Sequence, residues 1–235
     1  MQKERYAVVV LFDIDGTLVD CGGAGRRAMQ GAFAERHGRA DACDRIAFSG
    51  MTDRAIVRAG LEAIGVGTDE AEIDEVIVVY LQVLGRELPH AASFRVLDGA
   101  RELSEHSRTL GLEVGLGTGN VRAGARAKLE RARLWELFDF GGFGCDAEAR
   151  DVVLGVGRER GARRSGRDPS RCPTLIVGDT PRDVVAAHAI GARCLAVATG
   201  RFDRGALEAA GADIVVDSLA GAHAKRAVEA FSEGA

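Results

Sequence analysis

Residues 6–12 read Tyr-Ala-Val-Val-Val-Leu-Phe, an unbroken apolar run that stops at Asp13. Such a run suits a strand buried on both faces. Similar short runs recur at 112–116, 174–177, 194–198 and 213–216. Between them, 99–108, 121–134, 152–160 and 184–190 carry apolar residues at helical spacing. Strands alternating with helices predict an α/β fold with a doubly wound parallel sheet, helices covering both faces.

One stretch breaks the alternation. From about Cys21 to His90 the pattern is helical, with no convincing strand. In 69–84, Asp69 and Glu72 form a capping-box pair, and Ile73, Val76, Ile77, Tyr80, Leu81 and Leu84 share one face. Segment 52–64 repeats the idea with Ile56, Val57, Gly60, Leu61 and Ile64. A helical block after the first strand reads as a separate small bundle. The expected organisation is a core of 1–19 and 91–235 with an all-helical cap at 20–90, hinged near 19–21 and 88–94. A length of 235 residues fits one core domain plus a smaller insert.

The reactive residues lie where predicted strands end. The first run passes into Asp13-Ile14-Asp15-Gly16-Thr17-Leu18. Open α/β sheets bind ligands at the carboxyl ends of their strands. Two carboxylates two residues apart, where the chain leaves its pleat, can both converge on that edge. One can attack phosphorus while the other passes a proton to the leaving oxygen and takes one from the attacking oxygen. A second acidic turn, Gly178-Asp179-Thr180-Pro181-Arg182-Asp183, follows 174–177. Thr180 and Pro181 suit a helix start, whereas Asp179 sits at a strand end facing the same edge as Asp13. Carboxylates pooled there repel unless a cation lies between them, and hard oxygen ligands beside a phosphate point to Mg²⁺. A third turn, Gly115-Leu116-Gly117-Thr118-Gly119-Asn120, precedes a helix and offers a hydroxyl and free N–H groups to a phosphate oxygen. Read alone it is also a weak dinucleotide fingerprint, a reading that gives the acidic turns no role.

Taken together, Phe12-Asp-Ile-Asp-Gly-Thr-Leu-Val-Asp20, a strand ending at Thr118, and Gly178-Asp-Thr-Pro-Arg-Asp183 resemble the haloacid dehalogenase superfamily of phosphatases. The resemblance implies a Rossmann-like core with a helical cap inserted after the first strand. It implies Asp13 as nucleophile, Asp15 as general acid and base, and Thr118 as phosphoryl ligand, with Thr17, Gly119 and Asn120 beside it. Asp179, Asp13 and the Asp15 carbonyl would hold Mg²⁺, with Asp183 supporting the metal site. The dehalogenating members lack the second aspartate that Asp15 supplies, and the phosphonate-cleaving members use a cap lysine, which residues 21–90 do not contain. The expected activity is hydrolysis of a small phosphorylated metabolite, closest to the phosphoglycolate-phosphatase-like members. A phosphomutase of the same superfamily and a non-hydrolytic, receiver-like phospho-acceptor domain are the alternatives.

The family's usual lysine between the threonine and Gly-Asp motifs is missing. Lysines occur only at 3, 128 and 225. Lys128, inside the predicted 121–134 helix, reads as a surface residue, which leaves Arg150 as the expected substitute; a guanidinium can contact phosphate and carboxylate together. Cap candidates for the leaving group are Gly22, Gly23 and Arg26, and Thr52 and Arg54 in the 49–54 turn. Segment 161–171 reads as a basic surface loop.

Composition sets the remaining limits. A net charge of −4 supplies no basic field for a nucleic-acid partner. The first apolar run is too short for a signal-peptide core or a membrane span. Five scattered cysteines without Cys-x-x-Cys spacing predict reduced thiols in a cytoplasmic protein. The sequence sets no oligomeric state.

Overall fold

β1 (Val9–Phe12) forms because every one of its side chains can be buried: Val10 and Phe12 face one layer of helices, and Val9 and Leu11 face the other. The computed structural model describes residues 8–234; Tyr6 and Ala7, predicted to open this strand, lie outside the described residues. The chain continues through β2 (Val19–Asp20), α1 (Ala24–His37), α2 (Asp53–Ala63), α3 (Glu70–His90), β3 (Arg95–Val96) and α4 (Ala100–Thr109). β4 (Glu113–Gly117), α5 (Arg122–Arg131), β5 (Gly141–Gly142), α6 (Arg150–Arg164), β6 (Thr174–Gly178) and α7 (Pro181–Ala189) follow. The chain closes with β7 (Arg193–Val197), α8 (Arg204–Ala209), β8 (Ile214–Val216) and α9 (Ala222–Glu233).

Six strands make one parallel sheet in the order β5-β4-β1-β6-β7-β8, the predicted α/β, doubly wound, Rossmann-like arrangement. Leu103, Ala125, Leu129 and Val228, from α4, α5 and α9, cover one face, while Leu154, Val184 and Ala187, from α6 and α7, cover the other. Register places the site. Phe12 lies level with Leu116 on one side and Val177 on the other. Asp13, Thr118 and Asp179 therefore leave three adjacent strands at one edge.

The helical insert begins and ends at a two-stranded antiparallel ribbon, where Val19 pairs with Val96 and Asp20 with Arg95. Within the insert, α1 and α3 pack along each other, with Gly31 of α1 facing Val83 of α3, and Met29, Phe33, Ile77, Tyr80 and Leu84 belong to the same buried cluster. Helix α3 starts as predicted, with the Asp69 carboxylate accepting the Glu72 N–H. It runs on past Leu84 to His90 with Pro89 in its last turn, where the missing N–H forfeits one i to i−4 hydrogen bond, to Gly85 O. Leu88, predicted as part of a hinge, is thus helical and buried. Helix α5 of the core reaches up to the insert, with Gly124 facing Leu81 and Leu84. The insert and one sheet face consequently share a continuous apolar cluster. The predicted 161–171 loop is partly wrong: Gly161–Arg164 complete α6, and Gly161 and Ala162 are buried where the helix packs on the sheet.

Candidate active site

Asp13 sits one residue beyond β1, 5% exposed, with its N–H donating to Val177 O at 2.8 Å. Gly16 turns the chain back with φ +85, a conformation an L side chain rarely adopts. It also makes room for a neighbour: a Cβ there would fall 2.3 Å from Asp179 Oδ2. Gly200, after β7, leaves the same space from the opposite side; its Cβ would fall 1.7 Å from that oxygen. The Thr17 hydroxyl is buried and lies 3.4 Å from Asp179 Oδ1, so it supports the carboxylate rather than lining the cavity, contrary to its predicted place among substrate-binding residues.

Asp13, Asp179 and Asp183 each bring a carboxylate oxygen within 4.8 Å of the others. Arg150, at the first turn of α6, enters this group. Its guanidinium lies 2.9 Å from Asp13 Oδ2, and Nε donates to Asp183 Oδ1 at 2.8 Å. Asp183 is fully occupied, because Oδ2 accepts the Thr180 N–H at 3.0 Å and its hydroxyl at 2.7 Å, closing a capping box at the start of α7. Asp179 Oδ2 accepts no hydrogen bond among the described residues.

One guanidinium does not balance three buried carboxylates. Burial pushes Asp13 up to about 6 against the pull of Arg150, and Asp183 and Asp15 push it the same way. Asp179 is held well above the usual range, by burial first and then by Asp183 and Asp13. Arg150 is held even more firmly charged than a free arginine: burial opposes its charge, and Asp13 and Asp183 outweigh it. Buried negative charge in excess, hard oxygen donors and a pocket kept open by two glycines suit a divalent cation such as Mg²⁺.

The opposite wall holds a second cation, and here the sequence reading fails. Lys128, expected on the surface, is 3% exposed. Its Nζ lies 2.6 Å from Asp15 Oδ2 and 2.5 Å from Asn120 Oδ1. The Asn120 amide donates at 2.8 Å both to Asp15 Oδ2 and to Thr118 Oγ1. Burial opposes ionisation of Asp15, but Lys128, Asn120 and Cys21 outweigh it and hold the carboxyl below its usual range. Signal for the lysine was available: Gly124, Ala125, Lys128 and Leu129 fall on one face of α5, the buried one.

These groups floor a cavity of about 450 Å³ roofed by the insert. Asp13, Asp15, Thr118, Gly119, Asn120, Arg150 and Asp179 line it from the core, and Gly23, Arg26, Phe48, Met51, Asp53 and Tyr80 line it from the insert. Asp53 and Tyr80 were missed; both read as helix-start and helix-face residues in sequence. Arg26 is engaged structurally. It donates to Cys43 O and Ile46 O at 3.2 and 2.8 Å and stacks 3.9 Å over the Phe48 ring. Arg54 does not reach the cavity; it pairs with Glu70 and Asp74 on the outer face of the insert. Gly22 also lies off the lining, its N–H donating to Asp20 Oδ1.

The model for haloacid dehalogenase-like hydrolases matches residues 10–188, which include both acidic turns and the Thr118 loop. The chain belongs to that family. A second model, for HAD-hydrolase-like proteins, matches 158–222. The haloacid dehalogenase-like chain is 26% identical over 211 residues to "Probable phosphatase IndB" of Dickeya dadantii (strain 3937), covering 90% of each. In fold it resembles CbbY from Rhodobacter sphaeroides, solved with phosphate (TM-score 0.68, 18% identity, 93% of this chain and 98% of that one). It also resembles a predicted phosphoglycolate phosphatase from Haemophilus somnus (TM-score 0.65, 16% identity, 92% and 96%). Among the described residues no helix is long and apolar enough to cross a membrane.

Proposed function

We propose that this hydrolase is a Mg²⁺-dependent phosphatase that cleaves small phosphate monoesters through a phospho-aspartate on Asp13. The observation that carries the reading is the meeting of Asp13, Asp179 and Asp183 within 4.8 Å, with Asp13 and Asp179 lining one cavity, Asp183 buried behind them and Arg150 between Asp13 and Asp183. The phosphatase name of a 26% identical relative over nearly the full length supports it.

In this reading an Asp13 oxygen attacks phosphorus as the P–O ester bond breaks. The bond's electron pair passes to the leaving oxygen, which takes a proton from Asp15; the negative charge of the bound phosphate offsets the pull of Lys128 and lets the carboxyl carry that proton. Asp15, now ionised, removes a proton from the water that attacks the phosphoryl group. As the water oxygen bonds phosphorus the Asp13–P bond breaks, its electron pair returns to the Asp13 carboxylate, and inorganic phosphate leaves. Thr118, Gly119 and Asn120 hold the phosphoryl oxygens, and Arg150 offsets the charge on Asp13 while Asp183 fixes the guanidinium. Mg²⁺, held by Asp13, Asp179 and the Asp15 carbonyl, would screen the nucleophile from the substrate's like charge. The segment 20–90 acts as a cap, with Gly23 and Arg26 on the leaving-group side. Five free cysteines fit a cytoplasmic setting.

Phosphate release from a panel of phosphorylated metabolites, with Mg²⁺ and with a chelator, tests the activity. We expect release with Mg²⁺, loss with chelator, and a fall of at least about 10³-fold in Asp13→Asn. Full activity in Asp13→Asn rejects the mechanism.

A further inference from the structure

Two cations reach this site from different elements, and they divide it. Arg150 touches Asp13 and Asp183 and stays on the nucleophile's side. Lys128 touches neither; it serves Asp15. The Asp15 side chain is 45% exposed and lines the cavity, where it would be free to rotate without donors to hold it. Lys128 and Asn120 supply those donors, and both bonds fall on Oδ2. Oδ1 is left without a nitrogen donor among the described residues. The same lysine bonds Asn120 Oδ1, and Asn120 bonds Thr118, so the acid/base carboxylate is tied to the phosphoryl-binding loop by a closed triangle of hydrogen bonds. Helix α1 of the insert lies over the ammonium: a Cβ at Gly25 would come within 3.5 Å of Nζ. Tyr80 and Met29 line the cavity beside it.

Resting on the phosphatase reading above, we propose that Lys128 is a positioning residue for Asp15, holding Oδ2 so that Oδ1 alone meets the leaving and attacking oxygens. Proton transfer needs donor and acceptor within hydrogen-bond reach and in line, so a rotating carboxyl loses much of its acid catalysis. The loss depends on the ester. An alkoxide leaving group requires the proton as the P–O bond breaks, whereas p-nitrophenolate departs with little help.

The test compares Lys128→Met with wild type on an alkyl phosphate and on p-nitrophenyl phosphate in single turnovers with enzyme in excess, following release of the alcohol or phenolate, which reads phosphorylation of Asp13 and not the later attack of water common to both esters. We expect the single-turnover rate for the alkyl ester to fall about 10²-fold or more and that for the aryl ester less than about 10-fold, with half-saturating enzyme concentrations little changed. Lys128→Gln, which keeps a donor, is expected to recover part of the alkyl rate. Should Lys128→Met fail to fold, Lys128→Gln carries the same comparison, its alkyl rate falling more than its aryl rate. Equal loss of this step on both esters, or a loss confined to half-saturation, overturns the proposal. Absence of any turnover by wild type on either ester would instead count against the phosphatase reading itself.

Discussion

Asp53 is the residue whose environment departs furthest from its sequence appearance outside the reacting groups. It follows the Thr52 N-cap of α2, yet it is 7% exposed and its carboxylate accepts the Val121 N–H at 2.8 Å across the junction between insert and core. Burial pushes it from 3.8 up to about 6, with Lys128 and the Val121 N–H pulling the other way. Between about pH 4 and 6 the native protein therefore keeps a proton that the unfolded chain has released, and stability falls as pH rises through that window. Asp53→Asn removes the term. Its unfolding free energy should match wild type near pH 4 and exceed it increasingly up to pH 7, by on the order of 1–3 kcal/mol, with the melting temperature rising accordingly. Melting curves across pH 4–8 check this, and a difference independent of pH contradicts it. At this scale the acidic turns were legible because Asp13, Asp15 and Asp179 interrupt strand ends that had to be buried. Lys128 and Asp53 were not, because a charged residue on a helix reads as solvated until the helix's covering partner is known.

Elements with local signals were read correctly, and those without were not. Helices α3 and α7 announced themselves by the Asp69 and Thr180 caps and by apolar stripes. Helix α1 was not singled out, because its buried face is mostly alanine, at Ala24, Ala28 and Ala32, and its N-cap is Gly23 with no side-chain acceptor. The edge strand β5 consists of Gly141 and Gly142, which show no apolar pattern at all. Helix α3 also joins the insert to the core, where Leu84 faces Gly124 of α5. Leu84→Ala, at this fully buried position, should cost about 2–5 kcal/mol in a urea melt. A loss below about 0.5 kcal/mol, the range of a surface substitution, would show that this contact does not stabilise the protein.

The whole molecule is held closed by contacts that cross from insert to core. Thr52 Oγ1 donates to Glu148 O at 3.0 Å, Arg58 pairs with Glu148 at 2.7 Å, and Arg182 donates to Ser49 O at 2.6 Å. In the proposed reading, closure of this kind would exclude water and present the insert to the leaving group. Arg58→Ala should raise KM modestly while leaving the melting temperature unchanged; a lower melting temperature with normal KM would make the pair structural instead. These contacts join residues far apart in sequence, so the sequence indicated that a helical insert existed but not how it meets the core. The account rests on covalent capture of phosphorus by Asp13, and the Asp15→Asn variant exposes it. Mixed with substrate and Mg²⁺, quenched in acid and digested, this variant should yield a peptide containing Asp13 that is heavier by one phosphoryl group and that wild type does not accumulate. An unmodified Asp13 peptide from a variant that still releases phosphate at the wild-type rate would contradict the account.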